Sequence, residues 1–381
     1  MTLRSCQIAQ PHLEIIFWLT YKSSFSILTI FENKLWIAYI SEGCQVHYTT
    51  QRWRKSISLK CVCKFIRTGR LQKMAKRKKR SKTSDFIQYI GLRAFVFIIQ
   101  LLPLNISMLL GKSLACAGYL IDKKHRKVAD ENLRNAYGES LSDVQRRKII
   151  RGNYLHLASV GVNFIKFSQI VDQSNWQKHF KVEGLEFVRK AHKEGKGIIF
   201  VSGHLGNWEV LGLVLGFLHF PPHSIAKHME NPFVDRFITR HRKRAGQKVI
   251  FTENATREIL RVLKNNEFLG IVADQNVREN NIFVDFFGQK ASTTKAVATL
   301  SLKTGASIIM VFLRQIDGRY RFKLSLSQPV VIKKTGDLEK DILNLTQKYT
   351  SMIESRIREH PHEWLWIHRR WKKRPPIVSG Q

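Results

Sequence analysis

The sequence predicts an α/β protein: a central sheet, mostly parallel or mixed, flanked by helices and preceded by a hydrophobic, membrane-anchoring helical segment. Three observations carry this. After Gly195, short β-branched apolar runs alternate with stretches of helical period, the pattern of a sheet wrapped by helices. Upstream, Phe86–Ile121 is apolar almost throughout. Between them Gly195–Glu209 reads as a buried strand, a glycine-bracketed turn carrying His204, and a helix starting near Trp208. Strand ends of this kind are where α/β proteins place chemistry.

In chain order, residues 1–73 show no regular helical or strand period and hold four of the five cysteines. They are expected to be a non-native or disordered extension, with Met74 the biological start. Their apolar patches are too short to span a bilayer, and no small-residue cleavage site follows them. Residues 74–122 carry a basic cluster, Lys76–Lys82, and then the apolar stretch, which Arg93, Pro103 and Lys112 interrupt. The stretch fits one tilted transmembrane helix, Ala94–Leu110. It also fits two helices broken at Pro103 and lying in the interface. Basic residues beside it suit the cytoplasmic side and anionic headgroups.

Residues 123–376 form the main domain. Asp143–Phe167 has helical spacing of Ile149, Ile150, Leu155, Leu157, Val160 and Val162. Strands are expected at Ile198–Ser202, Ser224–Ala226, Val249–Phe251, Phe268–Ala273 and Ile308–Leu313, with Tyr320–Ser327 as an edge strand. Helices are expected at Asp235–Arg244, Ala255–Asn265, Thr294–Thr304 and Leu338–Glu359.

Charge and cysteine content bound the function. A formal net charge of +35 on 381 residues calls for acidic partners: anionic lipid, an acidic protein or nucleic acid. Five cysteines, four of them before Met74, form no disulfide framework, and Cys61-Val-Cys63 is too tight for a zinc knuckle. His219, His223 and His228 lack metal-ligand spacing, so no metal site is expected.

His204 and Glu209 are the candidate general base and its carboxylate. A five-residue step turns about 500° in a regular helix, so they meet only if His204 is still in the turn. A carboxylate so placed fixes the imidazole tautomer and steadies the imidazolium. Arg236, Arg240, Arg242, Lys243 and Arg244 crowd one helix. Most make a solvated basic face, while one or two turned inward would suit a phosphate. Asp274 and Gln275 follow a strand directly, as either a cap or a functional pair. Phe283–Gly288 with Ser292, Thr293 and Thr294 reads as a hydroxyl-rich N-cap before the next helix. In HPHEWLWIHRRWKKRPP, tryptophans alternate with basic residues, which suits a membrane interface or stacking on nucleic acid.

Together GHLGNWE, ADQN, VDFFGQKASTT with TGA ten residues on, and HPHEWLWIHRRWKKRP resemble the bacterial lipid A late acyltransferases, the lauroyl/myristoyl transferase family. The resemblance runs from Phe86 to Pro376, and KVADENLRNAYGE fits its N-terminal half. It implies a glycerolphosphate acyltransferase-like fold and transfer of a fatty acyl chain from an acyl carrier protein thioester to a hydroxyl of a lipid A precursor. It also implies an inner-membrane enzyme facing the cytoplasm, with no metal or cofactor. By the resemblance His204 and Glu209 are the catalytic pair, and Arg242, Asp274, Gln275 and Asn207 are substrate-binding. Lys227 departs from the family, where many members have arginine after a tyrosine; a phosphate contact there would be monodentate or absent. Related enzymes sharing GNWE act on other glycolipids. The alternatives are therefore an acyltransferase for another glycolipid or a lysophospholipid, using acyl-CoA, and, more distantly, a basic nucleic-acid-binding protein. The basic residues are spread along the chain rather than gathered for nucleic acid, which leaves the anionic membrane surface as the expected partner.

Overall fold

The computed structural model describes residues 2–5, 15–21, 24–31, 34–37 and 81–375, except 244–245, 253–254 and 318–319. The chain forms two compact units, Met1–Lys79 and Arg80–Gln381. In the first, β1 (Thr2–Ser5), β2 (Ile15–Tyr21), β3 (Ser24–Phe31) and β4 (Lys34–Ile37) pair antiparallel in chain order. These strands stand where the sequence shows no regular period. Their β character comes from composition, since Ile, Phe, Trp, Thr and Tyr suit a pleated backbone without alternating. Met74 and residues 76–80 of the basic cluster lie outside the described residues.

The second unit opens with α1 (Lys82–Leu101) and α2 (Leu104–Ile121), two helices broken at Pro103. Each is long and apolar enough to cross a membrane, yet only 17% and 11% of their apolar windows are buried. The Ser107 hydroxyl donates to the Ile99 carbonyl (2.9 Å) across the break. The Lys166 ammonium caps the end of α1, donating to the Gln100 and Leu102 carbonyls at 2.9 and 2.6 Å. After α3 (Lys123–Tyr137), the long α4 (Asp143–Ile170) starts at a capping box between Ser142 and Gln145. Gly111 of α2 lies so close to α4 that an added Cβ would meet Val162 at 2.8 Å.

There follow α5 (Trp176–His179), β5 (Phe180–Glu183), α6 (Leu185–Lys193), β6 (Ile198–Ser202), α7 (Trp208–Phe217), β7 (Pro222–Ala226), α8 (Pro232–Lys243), β8 (Lys248–Phe251), α9 (Ala255–Lys264) and β9 (Phe268–Val272). Then come β10 (Asn281–Phe286), β11 (Gln289–Thr294), α10 (Ala296–Thr304), β12 (Ser307–Asp317), β13 (Arg321–Leu326) and α11 (Leu338–Glu359). The main sheet has the order β5-β13-β12-β6-β9-β7-β8. Strands β12, β6, β9, β7 and β8 are parallel; β13 runs antiparallel to β12 and parallel to β5. The expected mostly parallel, helix-flanked sheet is therefore present. Strand β6 is buried along its whole length. Its residues alternate between two cores, Ile199 and Val201 on one face and Ile198 and Phe200 on the other.

Three expectations are corrected. β13 is not an edge strand, because the four-residue β5 pairs outside it. Phe283–Thr294 is the β10–β11 hairpin, turning at Phe287 and Gly288 with φ of 55° and 71°, the backbone of a two-residue hairpin turn; of its expected capping hydroxyls, Thr294 accepts from the Ala296 N–H (3.2 Å) while Ser292 and Thr293 turn to carbonyls. The Trp/Arg segment near the C-terminus is neither a membrane face nor a stacking surface. Trp364, Trp366, Trp371 and Arg370 are buried, and apart from Trp371 Nε1 and Arg370 Nε their polar side-chain atoms are hydrogen-bonded inside the protein. The Trp366 indole donates to the Pro361 carbonyl (2.5 Å), and the Arg370 guanidinium donates to the Ser292 carbonyl (2.6 Å) and the Thr293 hydroxyl (2.5 Å).

Candidate active site

Strands β6 and β9 are parallel neighbours, with Ser202 opposite Val272. Two residues beyond that register, His204 and Asp274 leave adjacent strand ends side by side. Asp274 accepts three hydrogen bonds: from the His204 backbone N–H to Oδ2 (2.6 Å), from His204 Nδ1 to Oδ1 (2.7 Å) and from the Trp364 indole to Oδ2 (2.7 Å). The Asp274 side chain is 2% exposed and that of His204 20% exposed.

Two glycines make this approach possible. A Cβ at Gly203 would lie 3.1 Å from Asp274 Oδ2. Gly206 has φ +61°, and a Cβ there would run into the Leu313 carbonyl, so the left-handed turn requires glycine. His156 of α4 donates from Nε2 to the Gly206 carbonyl (3.0 Å). Burial holds the His156 pKa down to about 4, so it supports the turn as a neutral ring.

The electrostatics follow from this packing. Burial by itself raises the Asp274 pKa, but the His204 charge and the donated hydrogen bonds outweigh it and bring it down to about 2. Burial by itself lowers the His204 pKa. Attraction and hydrogen bonding from Asp274, with the charge of Glu209, more than reverse that, and the His204 pKa is raised. With Nδ1–H directed at Asp274, the Nε2 lone pair is left for a proton; the Gln275 amide nitrogen lies 3.2 Å from it. The Trp208 ring stands edge-on to the imidazole at 5.5 Å between centroids.

The expected His204–Glu209 contact is corrected. Glu209 sits in the first turn of α7, where Arg242 of α8 holds it with Nη2–Oε1 at 2.8 Å, Nη2–Oε2 at 2.9 Å and Nε–Oε2 at 3.2 Å. Glu209 reaches His204 through charge alone, and Asp274 takes the place that spacing assigns to Glu209. The helix start explains the difference: α7 carries Glu209 away from the turn, while the neighbouring strand brings Asp274 to it. Arg242 is correspondingly engaged with a carboxylate rather than open. Asn207 is the N-cap of α7: its Oδ1 accepts from the Val210 N–H (3.2 Å), and its own N–H donates to the Leu313 carbonyl (2.7 Å).

Sequence reasoning missed the brace around the turn. The Leu365 N–H donates to the His204 carbonyl (3.0 Å), and Leu205 and Trp364 form an antiparallel bridge. Asn153 Nδ2 donates to the Trp364 carbonyl (2.5 Å), and Asn132 Nδ2 to those of Trp366 and His368 (2.6 Å each). Buried asparagines within the apolar spacing of α3 and α4 were the available signal. A cavity of about 190 Å³ lies behind the turn, lined by Leu205, Gly206, Phe312 and Leu313 among others; none of the six expected site residues lines it.

The chain is similar to known proteins along most of its length. The model of the bacterial lipid A biosynthesis acyltransferase family matches residues 73–373. The lipid A biosynthesis palmitoleoyltransferase of Escherichia coli (strain K12) is 25% identical over 295 residues, covering 76% of this chain and 92% of that protein. The lauroyltransferase of the same strain is 24% identical over 305 residues, covering 78% and 94%. A phosphatidylinositol mannoside acyltransferase of Mycobacterium tuberculosis (strain ATCC 25618 / H37Rv) is 24% identical over 196 residues, covering 50% and 59%.

Proposed function

The chain belongs to the bacterial lipid A biosynthesis acyltransferase family, and from that premise we propose that it transfers a fatty acyl chain from an acyl carrier protein thioester to a hydroxyl of a lipid A precursor. The observation that carries the mechanism is the His204 imidazole tied at Nδ1 to buried Asp274 (2.7 Å). That bond sets the tautomer with the lone pair on Nε2, where the Gln275 amide donates at 3.2 Å and an acceptor hydroxyl would take its place, the arrangement of a general base.

In this reading the acceptor hydroxyl gives its proton to His204 Nε2, and the oxygen attacks the thioester carbonyl carbon. The tetrahedral intermediate collapses with cleavage of the C–S bond, and the imidazolium returns its proton to the departing thiolate. Asp274 orients the ring and steadies its charge throughout. Glu209 adds negative charge nearby, set in place by Arg242. The amides of Trp208 and Glu209, at the start of α7, have no intrahelical acceptor and suit the developing oxyanion. Gln275 is placed to touch the incoming hydroxyl. No metal or cofactor enters the scheme. The apolar helices α1 and α2 attach the enzyme to the inner membrane, with the catalytic unit in the cytoplasm.

One observation keeps a second acceptor in view: likeness to the mannoside acyltransferase extends over half of the chain. A donor and acceptor panel decides both questions. With the lipid A precursor, acyl carrier protein thioester is expected to outperform acyl-CoA. Its kcat/KM should fall as salt rises, since the acidic carrier meets a strongly basic chain. Faster, salt-independent turnover with acyl-CoA refutes the donor, and preference for a phosphatidylinositol mannoside refutes the acceptor.

A further inference from the structure

A cleft of about 320 Å³ lies between α1 and α8, on ground that the catalytic scheme does not use. Arg93 of α1 and Arg236 and Arg240 of α8 line it. Arg236 and Arg240 are four residues apart and so share one side of their helix. Arg242, two positions further on, turns the other way, to Glu209. The cleft and the catalytic turn thus lie on different sides of α8.

Two of the three guanidinium groups rest on aromatic rings. Arg93 stands over Phe237 at 5.4 Å and Arg236 over Phe233 at 5.2 Å. Among the described residues no carboxylate lies within ion-pair distance of any of the three. Asp235, on α8, is held by His228. Three exposed guanidinium groups in one open cleft, with no ion-pair partner among the described residues, suit a phosphate group.

The position of Arg93 indicates where that phosphate comes from. Phe86, Ile90, Phe97 and Leu101 are exposed and fall with Arg93 on one stripe of α1 at helical spacing. If α1 crossed the bilayer, Arg93 would lie near mid-membrane, the most expensive depth for a charge. If α1 lies along one leaflet, the stripe enters the acyl region while the guanidinium stays at headgroup level. α1 also packs against both α4 and α8, which suits a helix lying on the protein rather than leaving it.

We propose that the α1–α8 cleft binds the phosphate of an anionic membrane lipid and so holds α1 flat in the leaflet interface. This rests on the membrane attachment proposed above and deepens it.

Vesicle flotation of the full chain tests the assignment, comparing neutral phosphatidylcholine vesicles with the same vesicles containing phosphatidic acid. Wild type should favour the anionic vesicles. The triple variant Arg93→Gln, Arg236→Gln, Arg240→Gln should lose that preference by roughly tenfold to a hundredfold, as expected for three cations at an anionic surface. It should still bind neutral vesicles through its apolar stripe, with an unchanged circular-dichroism melt. A charge-matched control, Arg189→Gln, Lys190→Gln, Lys193→Gln, removes exposed cations of α6 and should lose less than about threefold. Equal losses in the two triples, or none in either, overturn the proposal. Displacement of bound vesicles by inorganic phosphate at matched concentration would mark a free-phosphate site and overturn the lipid assignment. If wild type floats with neither vesicle, the attachment itself is wrong. The cleft is then judged by whether a soluble short-chain phosphatidate raises the melting temperature of wild type but not of the arginine triple; no rise refutes it.

Discussion

Asp274→Asn keeps the outline of the side chain that holds His204 and removes its charge. Asp274 accepts three N–H groups at 2.6–2.7 Å in a buried setting. An asparagine has one oxygen to offer, so its amide N–H₂ must face at least one of these donors, at a cost of about 1–3 kcal/mol for an unmet buried group. Charge gives a similar figure. The carboxyl is held from 3.8 down to about 2, which corresponds to about 2 kcal/mol of native-state stability. A depressed folded pKa contributes that stability above the unfolded value, and it is lost as pH falls from about 4 towards 2, so the variant should already be less stable at neutral pH. Catalysis should suffer more. Without the aspartate the imidazole loses its tautomer and partner, and kcat/KM should drop by roughly 10²–10⁴. The pH profile carries the diagnostic sign. The wild-type His204 pKa is raised above 6.5, so the basic form accumulates only above that pH, and the acid limb should lie there. With the attraction removed, burial dominates and the limb should move to lower pH. Glu209→Gln, which removes charge without removing a bond to His204, should shift the limb in the same direction but less. The reasoning is refuted if Asp274→Asn stays within about tenfold of wild type with an unmoved limb, or if Glu209→Gln has the larger effect on both.

Gly206→Ala should destabilise the protein by about 1–3 kcal/mol in urea melts, because φ +61° and the Leu313 carbonyl leave no room for a Cβ; an unchanged midpoint would contradict the turn geometry. Trp364→Phe keeps the aromatic packing but removes one donor to Asp274, so activity should fall and the melting midpoint should drop by the equivalent of about 1 kcal/mol. A chain starting at Met74 should match the full chain in acyl transfer and melting temperature, since Arg80–Gln381 forms a compact unit of its own; loss of activity on truncation would assign a function to the first 73 residues.

The strand–turn–helix around His204 was legible because its signals are local, an apolar run and two glycines within ten residues; the capping role of Asn207, expected to bind substrate, was not. The partner of His204 was not. Spacing along the chain favours Glu209, while the contact with Asp274 depends on β9 lying beside β6, a crossover that no local pattern reveals. The helix α11 was readable to its ends from its apolar period. β5 was not, because four residues with one lysine and one glutamate carry too little pattern. The C-terminal tryptophans show the same limit from another side. Indole and guanidinium groups suit a wet interface, but they suit a core equally well when buried carbonyls and carboxylates stand ready to accept their N–H groups.

The bridge between Leu205 and Trp364 also sets an order of events during synthesis. The catalytic turn is made early, but the indole that braces Asp274 and the amide that holds the His204 carbonyl come about 160 residues later. At ordinary rates of translation, the gap is on the order of 10–30 s. Asp274 follows His204 by 70 residues, so through the rest of that interval the pair stands without its indole and amide brace. The geometry around His204 is thus complete only once the segment carrying Trp364 and Leu365 has been made.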